Sequence, residues 1–400
     1  MLVEIYGGGF ENKGAQLMVS TVVNELSKRI DGIEFCMAWR RDRSINDMLN
    51  SNCKPIFPSH IYAGRRNGFP LYYKFANLVS CLIKEKHLTP YGLVNPRKCD
   101  AVIDISGFAF GDVWGPLKTI AFATVAKSYR RRNKPVIMLP QMLGPFKNQA
   151  CNKAFKKLAQ EVSVLYARDR VSEKHAAMFP ELQGKLKKAA DITIFADHSC
   201  HSEIPKIADV FLIPNSHVLT KKTTDWSQDA YIGTFTSMYH KLENEGLDVK
   251  ILVHDYIGLD EDLAEKIALS ISPTDSQSII YKNSNPQQLK QAISQCKFIV
   301  GSRFHGLVAA LANDVPTIAI GWGHKYTELL HDFGQDEFNI ESSSESEKLL
   351  NDLLPRMIDN KTRNDAISKM QKCKDLLRDS NETMWDDVVK RLHFGKHSTE

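Results

Sequence analysis

The chain has 400 residues, of which 43% are hydrophobic and 25% charged, and its formal net charge is +5. These values are typical of a soluble globular protein and exclude a disordered or low-complexity chain. The mild positive charge suits anionic ligands or an anionic membrane surface, and gives no specific indication of nucleic-acid binding.

Cysteine usage and the amino terminus both point to the cytoplasm. The eight cysteines form no C-x-x-C pair and no zinc-type spacing with histidine, as expected for a protein in a reducing compartment. The chain enters an apolar strand at Leu2–Tyr6 without a basic leader region, so we expect no signal peptide. We therefore predict a cytoplasmic protein, with peripheral contact at the inner face of the membrane left open.

The first predicted unit is a strand, a glycine-rich turn and a helix. The strand Leu2–Tyr6 runs into Gly7–Gly14, and apolar residues at helical spacing follow over Ala15–Ile30. The turn has neither the G-x-G-x-x-G spacing nor the lysine–serine/threonine pair of a P-loop. Asn12 and Lys13 enter the helix N-terminus, where both could meet a phosphate or a hydroxyl group.

Three further strands of the first half deliver polar residues to their carboxyl ends. Asp100–Ser106 leads to Asp112, Pro135–Leu139 leads to Gln141, and Val164–Ala167 leads to Arg168. We expect Ser172 to cap the helix that follows. Between these elements, a basic loop at residues 64–68 precedes a predicted helix at 71–84, which could pack in the core or lie on an anionic membrane.

The second half centres on Cys296–Gly323. Two β-branched runs, Phe298–Val300 and Pro316–Ile320, flank a short predicted helix at Gly306–Ala312. Arg303 and His305 therefore lie on a strand-to-helix turn, where a cation and an imidazole beside free helix N–H groups can bind an anion and supply a proton. Lys325 follows the second strand.

The alternation of strands and helices predicts an α/β protein with two Rossmann-like, doubly wound domains facing a cleft. We place the domains at residues 1–200 and 201–345, with C-terminal helices over 346–400 that could pack back on the first domain. No repeat of solenoid period occurs. The carboxylates do not cluster, so no metal site is predicted.

Five motifs, in order, resemble the polysaccharide pyruvyl transferase family. They are N-x-G-A-x-x at Asn12–Leu17, the strand and glycine segment Asp100–Asp112, P-Q-x-x-G-P at Pro140–Pro145, A-R-D-x-x-S at Ala167–Ser172, and S-R-F-H-G with its following strand and lysine at Ser302–Lys325. The resemblance covers roughly residues 1–335. The chain departs from the family pattern at Lys13–Ala15, where an aspartate is common, and at Ser106–Ala109, where three glycines are common.

The resemblance implies a fold similar to that of GT-B glycosyltransferases and transfer of pyruvate from phosphoenolpyruvate to two hydroxyls of a sugar, as a cyclic ketal. The acceptor would be a cell-surface polysaccharide or its lipid-linked precursor, and no cofactor would take part. Arg168, Arg303 and Lys325 would bind phosphoenolpyruvate, whose two anionic groups suit converging cations. His305 would be the acid and Asp112 the base or a sugar-hydroxyl anchor; Asn12, Lys13 and Gln141 would contact the acceptor or the phosphate.

Two other functions remain open from the residues alone. A GT-B glycosyltransferase with a nucleotide-sugar donor would share the fold and the cationic loop, but the acidic pair that commonly holds a ribose or donor sugar is absent. A phosphosugar-binding protein built on a degenerate transferase would bind ligand without turnover. The sequence leaves open the acceptor sugar, the ketal stereochemistry and the oligomeric state. Asp112 could equally be a structural cap.

Overall fold

The computed structural model describes residues 1–38, 44–56, 87–196, 204–220, 226–254, 259–321, 323–341 and 346–397. The predicted basic loop at 64–68 and the predicted helix at 71–84 lie outside the described residues. The chain folds into two compact units. The first contains residues 1–10, 18–192 and 380–400, and the second contains residues 11–17 and 193–379.

The first unit contains a seven-stranded, wholly parallel sheet. Its strands are β1 (Leu2–Tyr6), β2 (Glu34–Ala38), β3 (Cys53–Ile56), β4 (Ala101–Asp104), β5 (Val136–Gln141), β6 (Val164–Ala167) and β7 (Leu186–Lys188). Their order across the sheet is β3-β2-β1-β4-β5-β6-β7. All six residues of β5 are buried, as expected for a parallel strand covered on both faces.

Helices lie between these strands along the chain. Within the described ranges they are α1 (Lys13–Arg29), α2 (Ile45–Asn50), α3 (Leu117–Arg130), α4 (Gln149–Glu161) and α5 (Arg170–Ala177). In α1, Val19, Val22 and Leu26 recur at helical spacing and are fully buried. Residues of β1 contribute to two core clusters, Val3 and Ile5 to one and Tyr6 to the other, so the sheet is covered on both faces.

The second unit contains a six-stranded parallel sheet of order β10-β9-β8-β11-β12-β13. Its strands are β8 (Val210–Ile213), β9 (Val249–Val253), β10 (Ile280–Lys282), β11 (Phe298–Gly301), β12 (Thr317–Gly321) and β13 (Asn339–Glu341). Its helices are α6 (His217–Thr220), α7 (Gln228–Asn244), α8 (Leu259–Ile271), α9 (Ser276–Ile279), α10 (Pro286–Ser294), α11 (Phe304–Ala312), α12 (His324–Asp332) and α13 (Ser346–Ile358). Two parallel α/β sheets confirm the predicted fold class.

The central stretch has the predicted strand, helix and strand as β11, α11 and β12. Strand β11 pairs with both β8 and β12 and is therefore interior to the sheet. A Cβ built on Gly301 falls 2.7 Å from Cβ of Ile213, so the backbones of β11 and β8 approach too closely for any larger residue there.

The last helix, α14 (Asn360–His397), contributes residues to both units. Residues 360–379 belong to the second unit and residues 380–397 to the first. Met384, Trp385 and Val388 are fully or almost fully buried in the core cluster that contains Val3 and Ile5 of β1. Asp387 accepts a hydrogen bond from the Tyr166 hydroxyl, so polar as well as apolar contacts fix this end of the helix.

Some details differ from the sequence predictions. The cap of α5 is Asp169, whose side chain accepts a hydrogen bond from Ser172 N; the prediction that Ser172 caps the helix is wrong. Ser172 lies inside the first turn, and its hydroxyl accepts from Leu143 N. Helix α8 was not predicted at all. None of the helices in the described part of the chain is long and apolar enough to cross a membrane.

Candidate functional site

The turn after β11 presents Arg303 and His305 at the start of α11. Arg303 is the N-cap residue, with extended backbone angles, and its carbonyl accepts the first helical bond from Leu307 N. His305 is the second residue of the helix. The amides of a helix's first turn have no partner within the helix, so this position favours negative charge.

A buried carboxylate fixes the Arg303 side chain. Nε of Arg303 donates to Oδ2 of Asp260, in the first turn of α8, at 2.5 Å. The other oxygen of Asp260 accepts from both N and Oγ of Ser216, at 2.8 and 2.6 Å. Burial alone would raise the pKa of Asp260, but the Arg303 charge and these donors more than offset it, so its pKa lies below the ordinary value. The pair is therefore ionised at neutral pH.

The same turn is held by three neighbouring side chains. The Ser302 carbonyl accepts from Nδ2 of Asn215 and from the Tyr326 hydroxyl, each at 2.7 Å. The Tyr231 hydroxyl lies 3.0 Å from Oγ of Ser302 and accepts from Asn215 N. Burial raises the pKa of Tyr231 to about 12, so the hydroxyl keeps its proton at neutral pH. The turn is rigid before any ligand binds, which lowers the entropy lost on binding.

His305 contacts the beginning of α1. A Cβ built on Gly14 would lie 2.1 Å from Nδ1 of His305, so the imidazole lies directly against the Gly14 backbone. Residues 11–17 belong to the second unit, which places Asn12 and Lys13 in the same unit as His305. Oδ1 of Asn12 accepts from Ala15 N at 3.1 Å. Asn12 therefore caps α1, while Nζ of Lys13 donates to Gln16.

A second histidine, His254, lies behind the turn. It is the first residue after β9 and is buried, and its Cδ2 lies 3.5 Å from a Cβ built on Gly306. Burial first, and then the proximity of His305 and Arg303, lower the pKa of His254 to about 3. This ring is therefore neutral at physiological pH and does not compete with Arg303 for an anion.

Lys325 lies near the same turn, in the first turn of α12. Its ammonium nitrogen is 5.3 Å from the ring centroid of Phe304 and 5.0 Å from that of Tyr326. These are cation–π distances. The second unit thus brings together five of the residues predicted from the sequence: Asn12, Lys13, Arg303, His305 and Lys325.

The other three predicted residues lie in the first unit. Gln141 is the last residue of β5 and Arg168 directly follows the neighbouring β6, and Arg168 N donates to the Gln141 carbonyl at 2.9 Å. Nη1 of Arg168 donates to Oδ2 of Asp191 at 3.1 Å, and both residues are buried. Nε2 of Gln141 donates to the Asp104 carbonyl at 3.3 Å. Arg168 is thus a preformed cationic group with a fixed orientation, like Arg303.

Asp112 makes structural hydrogen bonds. Its carboxylate accepts from Lys147 N at 2.8 Å and from Asn148 N at 3.2 Å. Asn148 is the N-cap of α4, so Asp112 holds the segment that leads into that helix. The carboxylate therefore has a structural role of the capping type, but it binds the segment before α4 and not the segment that directly follows Asp112. It leaves a chemical role to be tested.

Sequence reasoning missed the residues that position Arg303, namely Asp260 and Ser216. The local signal at Asp260 is an acidic first turn of α8, Asp260, Glu261 and Asp262, which is typical of any helix N-terminus. Among the described residues there is also no group of three or more His, Cys, Asp or Glu side chains that could hold a metal ion. The arrangement can bind a small polyanion and deliver a proton beside it.

Comparison with known sequences identifies a family. The sequence model described as polysaccharide pyruvyl transferase matches residues 12–324. A curated relative, the amylovoran biosynthesis protein AmsJ of Erwinia amylovora, is 22% identical over 259 residues. That match covers 60% of this chain, and the chain spans 61% of the length of the relative.

Comparison with solved structures identifies the fold. The UDP-GlcNAc 2-epimerase of Neisseria meningitidis, bound to UDP-GlcNAc, has a TM-score of 0.58 and 11% identity, over 98% of this chain and 100% of that one. MnaA of S. aureus with UDP has a TM-score of 0.57 and 11% identity, over 92% and 90%. At such identity the likeness establishes the fold alone, which is of the GT-B type with two Rossmann-like α/β domains.

Proposed function

The chain belongs to the polysaccharide pyruvyl transferase family, and on that premise we propose that it transfers pyruvate from phosphoenolpyruvate to two hydroxyls of one sugar residue. The product is a cyclic ketal, and inorganic phosphate is released. The acceptor is a sugar of a cell-surface polysaccharide or of its lipid-linked precursor. The relative from Erwinia amylovora, by its name, takes part in amylovoran biosynthesis.

The arrangement of Arg303 and His305 carries the proposal. A guanidinium held by Asp260 at a helix N-terminus suits one anionic group of the donor, and His305 follows two residues later in the first turn of the same helix. Phosphoenolpyruvate carries a carboxylate and a phosphate on one three-carbon unit. Lys325, near the same turn, and Arg168, fixed by Asp191, are the further donor contacts in this proposal.

The chemistry moves two protons away from the sugar hydroxyls, one to the terminal carbon of phosphoenolpyruvate and one to the phosphate. Protonation of the terminal CH₂ carbon of the enol gives a methyl group and an electron-poor C2, which the first sugar hydroxyl attacks. The second hydroxyl then attacks C2 and the C–O bond to phosphate breaks, so that the two hydroxyl protons end on the methyl group and the phosphate. His305 donates to the CH₂ carbon or to the leaving phosphate, and Asp112 accepts a hydroxyl proton or holds the sugar.

The remaining predicted residues bind the acceptor or the phosphate. Gln141 offers an amide at the carboxyl end of β5, and Asn12 and Lys13 stand at the start of α1, against which His305 packs. No cofactor takes part in this proposal, because protonation of an enol phosphate and addition of an alcohol need neither redox chemistry nor an electron sink. Treatment with a chelator should leave the rate unchanged.

The experiment is phosphate release from phosphoenolpyruvate, measured with galactose, glucose, N-acetylglucosamine and N-acetylmannosamine glycosides as acceptors. We expect release that depends on one acceptor and that falls by at least about 100-fold in His305→Gln, the order expected for loss of a general acid. Mass spectrometry of the acceptor should show addition of pyruvate with loss of water. If no acceptor gave phosphate release and calorimetry showed binding of a nucleotide sugar, the glycosyltransferase alternative would be supported instead.

A further inference from the structure

One stretch of the first unit carries an unusual charge composition. Residues 113–160 contain ten Lys and Arg residues and no Asp or Glu, whereas the whole chain has 52 basic and 47 acidic residues. The stretch includes α3 and α4, which pack against each other. A surface with so strong a local excess of positive charge is complementary to a polyanionic partner.

The same stretch exposes large apolar side chains. Val113, Trp114, Leu117 and Ile120 are 49%, 40%, 71% and 48% exposed; the first two precede α3 and the last two lie at its start. The Lys118 ammonium lies 3.9 Å from the Trp114 ring centroid. An indole under a lysine, next to aliphatic side chains, has the amphipathic character of residues at a membrane–water interface.

Helical periodicity places the apolar and the basic side chains on one face. Leu117, Ile120, Lys127 and Arg131 fall within less than a quarter of the helix circumference at about 100° per residue. The opposite face, with Phe122, Val125, Ala126 and Tyr129, is buried in the core. The exposed face therefore changes from apolar at the start of α3 to cationic at its end.

Few of the cations have an acidic partner within the described part of the chain. Lys134 pairs with Asp100, and Lys156 pairs with Glu181. Lys127, Arg130, Arg131, Lys147, Lys153 and Lys157 form no ion pair with any other described residue. Their charge thus remains available to attract an external anion.

We propose that this surface, formed by Val113–Ile120 and the cations of α3 and α4, binds an anionic phospholipid membrane. The apolar side chains enter the interface and the cations meet the lipid head groups. Apolar side chains alone or basic residues alone bind a membrane weakly, but the two combined give stable peripheral binding. Nucleic acid would use the cations but leaves the exposed aliphatic side chains without a role.

The position of the surface also bears on the substrate, and this part rests on the proposed function. Val113 directly follows Asp112, the residue assigned to the acceptor hydroxyl. Membrane binding here would bring the acceptor side of the first unit to the bilayer, where the sugar of a lipid-linked acceptor is found. We therefore assign the acceptor to the lipid-linked class.

The test is sedimentation of the full chain with vesicles of phosphatidylcholine alone or with about 30% phosphatidylglycerol. We expect at least about tenfold stronger binding to the anionic vesicles, decreasing as salt is raised. Leu117→Ser/Ile120→Ser and Lys127→Gln/Arg131→Gln should each weaken it by about tenfold. Quenching of tryptophan fluorescence by brominated lipid should be lost in Trp114→Phe.

Matched controls lie on α14. Leu376 is 74% exposed and Lys372 is exposed, so Leu376→Ser and Lys372→Gln should leave vesicle binding unchanged. The proposal would be overturned if neutral vesicles bound the protein as strongly as anionic ones, or if the control variants lost as much binding as the test variants. Binding of an RNA oligonucleotide without vesicle binding would also overturn it. Pyruvate transfer to a soluble glycoside should persist in Leu117→Ser/Ile120→Ser, which separates failure of this surface from failure of the proposed reaction.

Discussion

The imidazole of His305 lies so close to the backbone of Gly14 that a Cβ at position 14 would stand 2.1 Å from Nδ1 and 2.2 Å from Cγ of the ring. Both distances are far below van der Waals contact, so any side chain at position 14 must displace the ring. Gly14 lies in the first turn of α1, where alanine is a better helix former than glycine. The glycine is thus required by His305 and not by the helix.

Gly14→Ala should therefore impair the reaction without unfolding the protein. We expect kcat to fall by about 10- to 100-fold, because displacement of a catalytic group by about 1 Å has effects of that order. Steady-state phosphate release measures it. Gly233→Ala is the control, since a Cβ there meets no atom within 4 Å and lies in the interior of α7. Unchanged kcat in Gly14→Ala would show that the position of His305 does not matter.

The buried pair of Arg303 and Asp260 predicts a second effect, on stability. Arg303→Ala removes the proposed donor contact and also leaves Asp260 buried without its cation, which should destabilise the protein by about 3–5 kcal/mol. In Arg303→Ala/Asp260→Ala the stability should recover in part, because no uncompensated charge remains. Activity should not recover, because the guanidinium proposed to bind phosphoenolpyruvate is still missing.

Urea unfolding and phosphate release, measured on the wild type, Arg303→Ala, Asp260→Ala and the double variant, complete this double-mutant cycle. Glu261→Ala is the matched control on α8, because its pair with Lys282 is partly exposed to solvent and should be worth less than about 1 kcal/mol. If Arg303→Ala were as stable as the wild type, the burial of Asp260 would not need the charge of Arg303. If the double variant kept normal activity, Arg303 would have no part in donor binding.

The sequence carries enough local information to predict most of the fold. Strands such as Val164–Ala167 were predicted with the correct bounds, since buried parallel strands appear as short apolar runs between polar turns. Helix α10 also carries clear local signals, since Asn285 caps it and Pro286 is its first residue. The carboxyl ends of such strands also gave the candidate site residues.

The supporting residues could not be predicted in the same way. Asp260 precedes Arg303 by 43 positions, and only the tertiary structure brings α8 beside the turn after β11. The contact of His305 with Gly14 spans almost the entire length of the matched family region. Ser172 was assigned as a cap because serine favours that position, but Asp169 takes it and Ser172 binds the neighbouring loop. Local propensity does not decide between two neighbouring residues that both favour the cap.

Asp112 allows a prediction that separates its two roles. Asp112→Asn keeps an oxygen that can accept from Lys147 N or Asn148 N, but it cannot take a proton from a sugar hydroxyl. If Asp112 is the base, kcat should fall by about 100-fold or more while the melting temperature changes little. Asn148→Ala supplies the structural control, because loss of that N-cap should cost about 1 kcal/mol of stability and leave kcat unchanged.

His254 predicts how stability depends on pH. Its pKa is about 3 in the folded protein, against an ordinary value of 6.5, so between these values the unfolded chain binds a proton that the folded chain does not. This group leaves the free energy of unfolding unchanged above about pH 6.5 and lowers it progressively as pH falls towards 3, by up to about 1.4 kcal/mol per pH unit.

Replacing His254 should reduce the decrease in the free energy of unfolding at acidic pH. Unfolding of the wild type and of His254→Gln should be compared between about pH 7 and pH 4, with His254→Phe as a second variant in case the amide is poorly accommodated. The loss of stability on acidification should be smaller in either variant than in the wild type, whatever its stability at neutral pH. His331→Gln is the control, because His331 is an exposed histidine that contacts Asp336 and contributes no buried neutral ring. An identical pH dependence in all four proteins would mean that His254 is charged in the folded state, and Arg303 would then face a second cation beside the proposed donor site.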